Sequence, residues 1–321
     1  MDSDKVIVTC AITGGMTVPA QSAAIPITVQ EIIEAGVQAA EAGAAVLHVH
    51  VREESTGRPV QDPELFDKVL GGLAQRTDAV LQPTTGGGRG MTVEQRGAII
   101  PRFEPEMATL NSGSMNFGLY PVASRNLSFQ PWEIEYLEGS RDWVFKNTFA
   151  DIAYLAAKMR DADTRPEIEV YDLGQLYTIR QLVREGVLTP PFNLQFVLGV
   201  LGAAAFEPDH VIHLLRTAER LFGAGSFTWS AAGVGYPAQF QTAALALTLG
   251  GNVRVGLEDN LRVRRTEQAK TNAELVDKAV SLAALFDRTP ATPAEARDHL
   301  GLKGADQVGY GLKSPEFAER V

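Results

Sequence analysis

Short apolar runs alternate with helix-forming stretches eight times along this chain, and no other feature limits its fold as much. The runs are Val6–Gly14, Val46–Glu53, Ala79–Gly87, Met107–Phe117, Glu167–Asp172, Asn193–Val200, Phe227–Gly235 and Val253–Asn260. Their length and apolar content suit buried strands. Helix starts between them are legible: Thr28 ahead of Val29–Ala42, Asp62 with Pro63 at the first helical position, and Thr92 ahead of Val93–Ile100. Gly43, Gly186 and Gly250 follow helical runs, where a left-handed cap is expected. Repeated strand–helix units imply a parallel sheet. Eight of them in 321 residues predict an α/β fold, a (β/α)8 TIM barrel. An open doubly wound sheet is the competing arrangement.

With no low-complexity linker, residues 1–321 read as one barrel domain carrying two additions. The first is an insertion after strand four, residues 119–147, rich in aromatics (Tyr120, Phe129, Trp132, Tyr136, Trp143, Phe145). It suits an active-site lid or a subunit contact. The second is a C-terminal extension, 288–321, expected to be helical, with Tyr310 and Phe317 placed to dock on a neighbour.

Charge and composition exclude several functions. A net charge of −10 argues against nucleic acid as a partner. No apolar run approaches the roughly 20 residues needed to cross a bilayer. The first residues lack a signal-peptide pattern, and the one cysteine, Cys10, excludes an intrachain disulfide. A cytoplasmic location is the expectation.

Polar residues gather where the predicted strands end: Thr13, His48 and His50, Thr84 and Thr85, Thr109 and Asn111, Glu169 and Asp172, then Arg254, Glu258 and Asp259. TIM barrels build their active sites on that face. Residues two apart on a strand share a side, so His48 and His50 point together. Two adjacent imidazoles in an apolar strand suit a transition metal. As mere core residues they would leave four ring nitrogens to satisfy.

Glu258 is the expected third ligand, because strands two and eight have the same parity and feed one layer of the barrel. Two histidines and a glutamate leave coordination positions open, as catalytic zinc sites do. Helix capping is the competing role for Glu258 and Asp259. Arg254, four residues before Glu258, is expected to hold a substrate carboxylate or to pair with Asp259 or Glu169. Glu169 is either a proton-transfer group or a structural carboxylate. The Thr84–Gly88 turn either offers backbone amides to an anion or merely meets turn geometry. His210 and His213 read as a solvated helix face, and Cys10 as a core residue.

The ordered motifs Ala11-Ile12-Thr13-Gly14, His48-Val49-His50-Val51-Arg52, Thr84-Thr85-Gly86-Gly87, Pro105 to Asn111 and Gly256-Leu257-Glu258-Asp259-Asn260 resemble those of the β-keto acid cleavage enzymes. That family includes the 3-keto-5-aminohexanoate cleavage enzymes, and the likeness runs from about residue 6 to about residue 300. The resemblance implies a zinc-dependent homotetrameric barrel that converts a β-keto acid and acetyl-CoA to acetoacetate and a new acyl-CoA. It implies His48, His50 and Glu258 as zinc ligands and Thr84, Gly87 and Thr109 in the substrate site, with Asn111 beside Thr109. It puts Arg254, Asp259 and Glu169 around the chemistry, with either Glu169 or Asp259 as the base.

Two positions depart from the pattern. Met16 stands where members acting on amino-substituted keto acids carry an acid, and a thioether cannot pair with an ammonium. Thr84 stands where a serine also occurs, so the hydroxyl is kept. Tyr236 is a further candidate to shape the pocket. An aromatic cage for a quaternary ammonium, built by the insertion, is the competing pocket. The rival activities are a zinc class II aldolase without CoA and a metal-stabilised binding protein. An amidohydrolase would carry its His-x-His on strand one and further histidines on later strands.

Overall fold

The computed structural model describes residues 4–310. Eight parallel strands form the central sheet: β1 Val8–Ala11, β2 Val46–Val49, β3 Val80–Pro83, β4 Met107–Asn111, β5 Arg165–Val170, β6 Phe192–Leu198, β7 Phe227–Gly233 and β8 Asn252–Val255. The ladder runs β3–β2–β1–β8–β7–β6–β5–β4, with Val8 beside Val253 where the chain's first and last barrel strands meet. A seam remains between β3 and β4. Thr85 stitches it: its amide donates to the Thr109 hydroxyl at 3.2 Å and its own hydroxyl to the Thr109 carbonyl at 2.5 Å. The sheet is therefore a nearly closed TIM barrel, not an open doubly wound sheet.

The helices begin where the sequence signals them. In α1 (Val29–Glu41) Thr28 accepts from the Glu31 amide, and Glu31 reaches back to the Thr28 amide at 2.9 Å. Asp62 caps α2 (Pro63–Ala74), and Thr92 caps α3 (Val93–Gly97), which is followed by α4 (Ile99–Phe103). Each such cap stabilises by about 1 kcal/mol. Gly43, Gly186 and Gly250 all take positive φ just past their helices.

Every predicted strand is present, but most end early. β8 stops at Val255, not Asn260, because Gly256 turns at φ +142° with its Cα against the Ala11 carbonyl; a Cβ there would lie 2.1 Å from that oxygen. β2 stops at Val49, and Val51–Arg52 instead forms a hairpin with Pro59–Val60. The residues lost from the strands include His50, Thr84, Gly87, Glu258 and Asp259 of the site, whereas His48, Glu169 and Arg254 stay in the ladder. Backbone that must aim side chains into a cleft leaves the ladder.

Alternation along the strands divides two environments. Val8, Leu47, Leu81, Leu110, Ile168, Phe196 and Val255 belong to the buried apolar layer between barrel and helices. Thr9, His48, Gln82, Glu167, Glu169, Gln195 and Arg254 are equally buried yet polar. A TIM barrel interior is usually filled with branched apolar side chains. Here it is filled with hydrogen-bonding groups, which burial would penalise unless they were paired.

The extension past residue 288 closes the opposite end of the barrel. Thr289–Pro290 pairs with Lys5–Val6. The helix Pro293–Leu300 adds Ala296 and Leu300 to a small core with Ile7, Val46, Val80 and Met107. Arg297 grips Glu106 through two bonds of 2.8 Å. Tyr310 is buried against its own chain, 4 % exposed, so it is not a free docking residue. Phe317 lies outside the described residues. No described helix is long and apolar enough to cross a membrane.

Candidate metal centre

His48 is the penultimate residue of β2 and His50 stands one residue past the strand's end, their rings 5.0 Å apart and steeply inclined. The turn after Gly256 delivers Glu258 between them. Glu258 Oε2 lies 3.6 Å from His48 Nε2, and Oε1 lies 3.6 Å from His50 Nε2. All three ligand atoms fall within 4.8 Å of one another. Gly14 makes this approach possible: at φ +60°, a Cβ there would stand 2.1 Å from Glu258 Cγ.

The donor set fits a divalent transition metal on three counts. Two ligands of a tetrahedral zinc, each at about 2.0–2.1 Å, stand roughly 3.4 Å apart, close to the separations found. Burial holds the His48 imidazole down to about 3 and lowers His50 as well, so both rings are neutral with a lone pair free. Glu258 Oε2 is buried without a hydrogen-bond partner, a costly state that a cation would relieve. Burial works against the charge on Glu258, but its charged surroundings, the Arg254 guanidinium among them, more than offset it and hold the carboxyl at about 2.

Arg254, on β8, is the hub. Nε and Nη2 donate to Asp259 at 2.9 and 3.0 Å, Nη2 also to Glu258 at 2.9 Å, and Nη1 to Gln195 at 3.0 Å and Glu169 at 3.3 Å. Four hydrogen bonds from the guanidinium reach Asp259, Gln195 and Glu169, and an ion pair reaches Glu258. Arg254 thus pairs with both Asp259 and Glu169 while also lining the cavity. Burial lifts the Glu169 carboxyl to about 8 against the pull of Arg254, with Glu167, Glu258 and Asp259 adding to the rise. Burial also raises Asp259, to about 6, where the Arg254 pair restrains it.

His48, His50, Glu258, Arg254, Asp259 and Glu169 line one cavity together with Met16, Thr84 and Gly87. Its remaining walls are aromatic: Phe117, Tyr136, Trp143, Phe145 and Tyr171. Three of these come from the insertion, which folds back over the barrel mouth, and the Tyr136 hydroxyl donates to the Gly15 carbonyl at 2.9 Å. Phe117 packs against Trp143 at 5.5 Å and Phe145 at 5.6 Å. The larger cavity around Glu106 and Arg297, at the other end of the barrel, contains none of the metal-binding side chains.

Thr109 and Asn111 do not line this cavity. Thr109 is fully buried and occupied at the β3–β4 seam. Asn111 is 2 % exposed, both its side-chain polar atoms lack partners, and it sits behind Gly86 on the cavity wall. Tyr236 packs on Phe240 and borders a neighbouring cleft. His210 is half-buried with Nδ1 on the Ala205 carbonyl at 2.8 Å, and Cys10 is fully buried, its thiol pushed up by burial.

Sequence reading gives no role to Arg52, Tyr136, Gln82, Gln195 or Glu167. Arg52 is 1 % exposed and donates to the carbonyls of Thr13, Gly14, Thr17 and Gly57, tying the loop that carries Met16 to the hairpin after His50. The signal was present: a cation two residues past the second histidine, in a run that otherwise reads as buried.

A family model described as "beta-keto acid cleavage enzyme" matches residues 5–302. A 3,5-dioxohexanoate:acetyl-CoA acetone transferase from Paraburkholderia graminis is 43 % identical over 95 % of this chain and 98 % of its own. A 3-keto-5-aminohexanoate cleavage enzyme from Acetoanaerobium sticklandii is 36 % identical over 93 % and 99 %. A 3-dehydrocarnitine:acetyl-CoA trimethylamine transferase from Rhizobium meliloti is 33 % identical over 93 % and 97 %. Among solved structures, the ternary complex of ObcA with a C4-CoA adduct and oxalate shares the fold, with a TM-score of 0.63 at 21 % identity over 88 % of this chain and 68 % of that one. The match spans the whole barrel and includes both ends of the metal cluster: the chain belongs to the β-keto acid cleavage enzyme family.

Proposed function

We propose that this protein is a zinc enzyme that uses acetyl-CoA to cleave a β-keto acid, giving acetoacetate and a new acyl-CoA. The observation that carries the reading is the convergence of His48, His50 and Glu258 with the Arg254–Asp259 pair and Glu169 on one cavity. Two of the relatives above are acetyl-CoA transferases by name, which supports the co-substrate. His48, His50 and Glu258 would hold the zinc ion, which when bound supplies Lewis-acid stabilisation of charge on the keto oxygen.

The chain's own residues supply the proton chemistry. Asp259, locked in a two-pronged pair with Arg254, takes the C2 proton of the β-keto acid. Carbon C2 then bonds to the thioester carbonyl of acetyl-CoA, and CoA thiolate leaves. That thiolate adds to the C3 carbonyl, the C2–C3 bond breaks, and Asp259 returns its proton to C2. Acetoacetate and the new acyl-CoA are the products. Arg254 acts by orienting and charging Asp259. The Thr84–Gly87 turn, which lines the cavity, is the group placed to receive the substrate carboxylate.

Glu169 carries a proton at neutral pH and serves as a neutral donor beside the reacting oxygens. Its proton is present below about 8 and lost above it, so turnover is expected to fall as pH rises through about 8. The Glu169→Gln variant cannot titrate and is expected to lose about 10²-fold in kcat together with that alkaline limb. Pre-steady-state or steady-state kcat profiles from pH 6 to 10 check this. A wild-type limb that persists in the variant would assign it elsewhere.

The far wall of the cavity, with Met16, Phe117, Trp143 and Phe145, contains no carboxylate. An ammonium placed there would be buried and unpaired, which costs several kcal/mol. Neutral-tailed β-keto acids are therefore expected to exceed 3-keto-5-aminohexanoate by about 10²-fold or more in kcat/KM. The test is acyl-CoA formation by zinc-loaded protein across a panel of β-keto acids with acetyl-CoA. If the amino acid proves the best substrate, the Met16 argument fails. Carbon–carbon cleavage without acetyl-CoA would support the aldolase instead.

A further inference from the structure

We propose that Glu167 is a positioning residue for the metal centre: acting through Gln82, it fixes which nitrogen of His48 faces the metal. Glu167 lines neither the substrate cavity nor the ligand cluster. The inference rests on the zinc reading above and deepens it.

A neutral imidazole carries one N–H, on either Nδ1 or Nε2. His48 Nδ1 stands 3.0 Å from Gln82 Oε1. A carboxamide alone suits both tautomers, since it can present its oxygen or its NH2. The surrounding network removes that freedom, step by step from Arg254. Arginine only donates, so the Gln195 oxygen must face Arg254 Nη1, at 3.0 Å. The Gln195 NH2 group then faces Glu167 Oε2 at 3.0 Å and Ser230 at 3.2 Å. The same Glu167 oxygen accepts from Gln82 Nε2 at 2.8 Å. A flipped Gln82 would set two oxygens against each other across that gap.

Gln82 must therefore offer oxygen to His48, Nδ1 must carry the proton, and Nε2 keeps its lone pair toward Glu258. Metal-binding histidines commonly donate their other N–H to a carboxylate or carbonyl, and losing that partner typically costs 10–100-fold in metal affinity. In this barrel the carboxylate works one side chain further out. The ring of contacts closes on itself, because Arg254 also holds Glu258.

The test is zinc affinity by chelator competition, together with ¹⁵N imidazole shifts of the metal-free protein, whose five histidines keep the spectrum simple. Wild type is expected to show His48 as the Nδ1–H tautomer. Glu167→Met and Gln82→Met are expected to bind zinc about 10–100-fold more weakly and to populate Nε2–H. Glu167→Gln, whose amide oxygen can accept both bonds, should stay closer to wild type than either. If Glu167→Met fails to fold by circular dichroism, Gln82→Met decides alone. Folded methionine variants with wild-type zinc affinity and tautomer, even if they melt lower, overturn the inference and leave the metal reading standing. A wild-type chain that binds no zinc overturns both.

Discussion

Replacing Arg254 with methionine is expected to lower kcat by about 10²–10⁴-fold, the usual worth of a general base, while one zinc ion per chain is still bound. Arg254 touches no substrate in this reading, yet three buried carboxylates depend on it: Asp259, Glu258 and Glu169. Removing one partner of a buried ion pair costs about 3–5 kcal/mol, because the charge left behind has no counterion. The cheapest relief is a proton on Asp259, whose carboxyl already lies near 6 with the guanidinium in place. A protonated Asp259 cannot take the C2 proton. Arg254 supplies no metal ligand itself, but it holds Glu258 and anchors the hydrogen-bond chain to His48, so zinc is expected to bind up to about 100-fold more weakly and still to be retained. Metal content, melting temperature and kcat measured on one preparation check the claim. A folded Arg254→Met enzyme with near-wild-type kcat would remove Arg254 and its pair from the mechanism.

The second large effect is expected at Glu258. Glu258→Gln keeps the side-chain shape but loses the charge, and its NH2 group can donate to the His48 lone pair now facing Oε2 at 3.6 Å. The substitution therefore removes an anionic ligand and blocks a neutral one. Zinc affinity is expected to fall by more than the ~100-fold seen when an outer partner is lost, and turnover with it. Chelator competition and metal analysis after gel filtration measure this directly. One tightly held zinc per chain in Glu258→Gln would exclude Glu258 as a ligand. The two variants separate the roles: Arg254→Met keeps the metal and loses the base, whereas Glu258→Gln loses the metal first.

Parts of this site were open to sequence reading because they are local. His48 and His50 share a face because strand side chains repeat every two residues. Strand parity points to Glu258 as their partner, although in the fold the Gly256 turn past the strand's end delivers it. Local pattern loses its hold where the backbone leaves regular structure. Val253–Asn260 looked like one strand, and Arg254 and Glu258 like neighbours on its face. They do meet, at 2.9 Å, but across the Gly256 turn. Arg254 reads from sequence as a lone cation, and only the folded barrel brings Asp259, Glu258, Gln195 and Glu169 around it. The insertion was legible as aromatic, but nothing local says that Tyr136 reaches Gly15.

What the sequence by itself determined is the barrel, its helix caps and the face on which chemistry gathers. These follow from near neighbours: apolar period, capping side chains such as Thr28 and Asp62, and glycines past helix ends. Only the tertiary structure decided which polar groups meet inside the barrel. Gln82 and Glu167 lie 85 positions apart, as do Glu169 and Arg254. Their pairing depends on how far each strand is shifted against the next around the whole circle. That register is set by the packing of all eight strands together, so no local pattern can carry it.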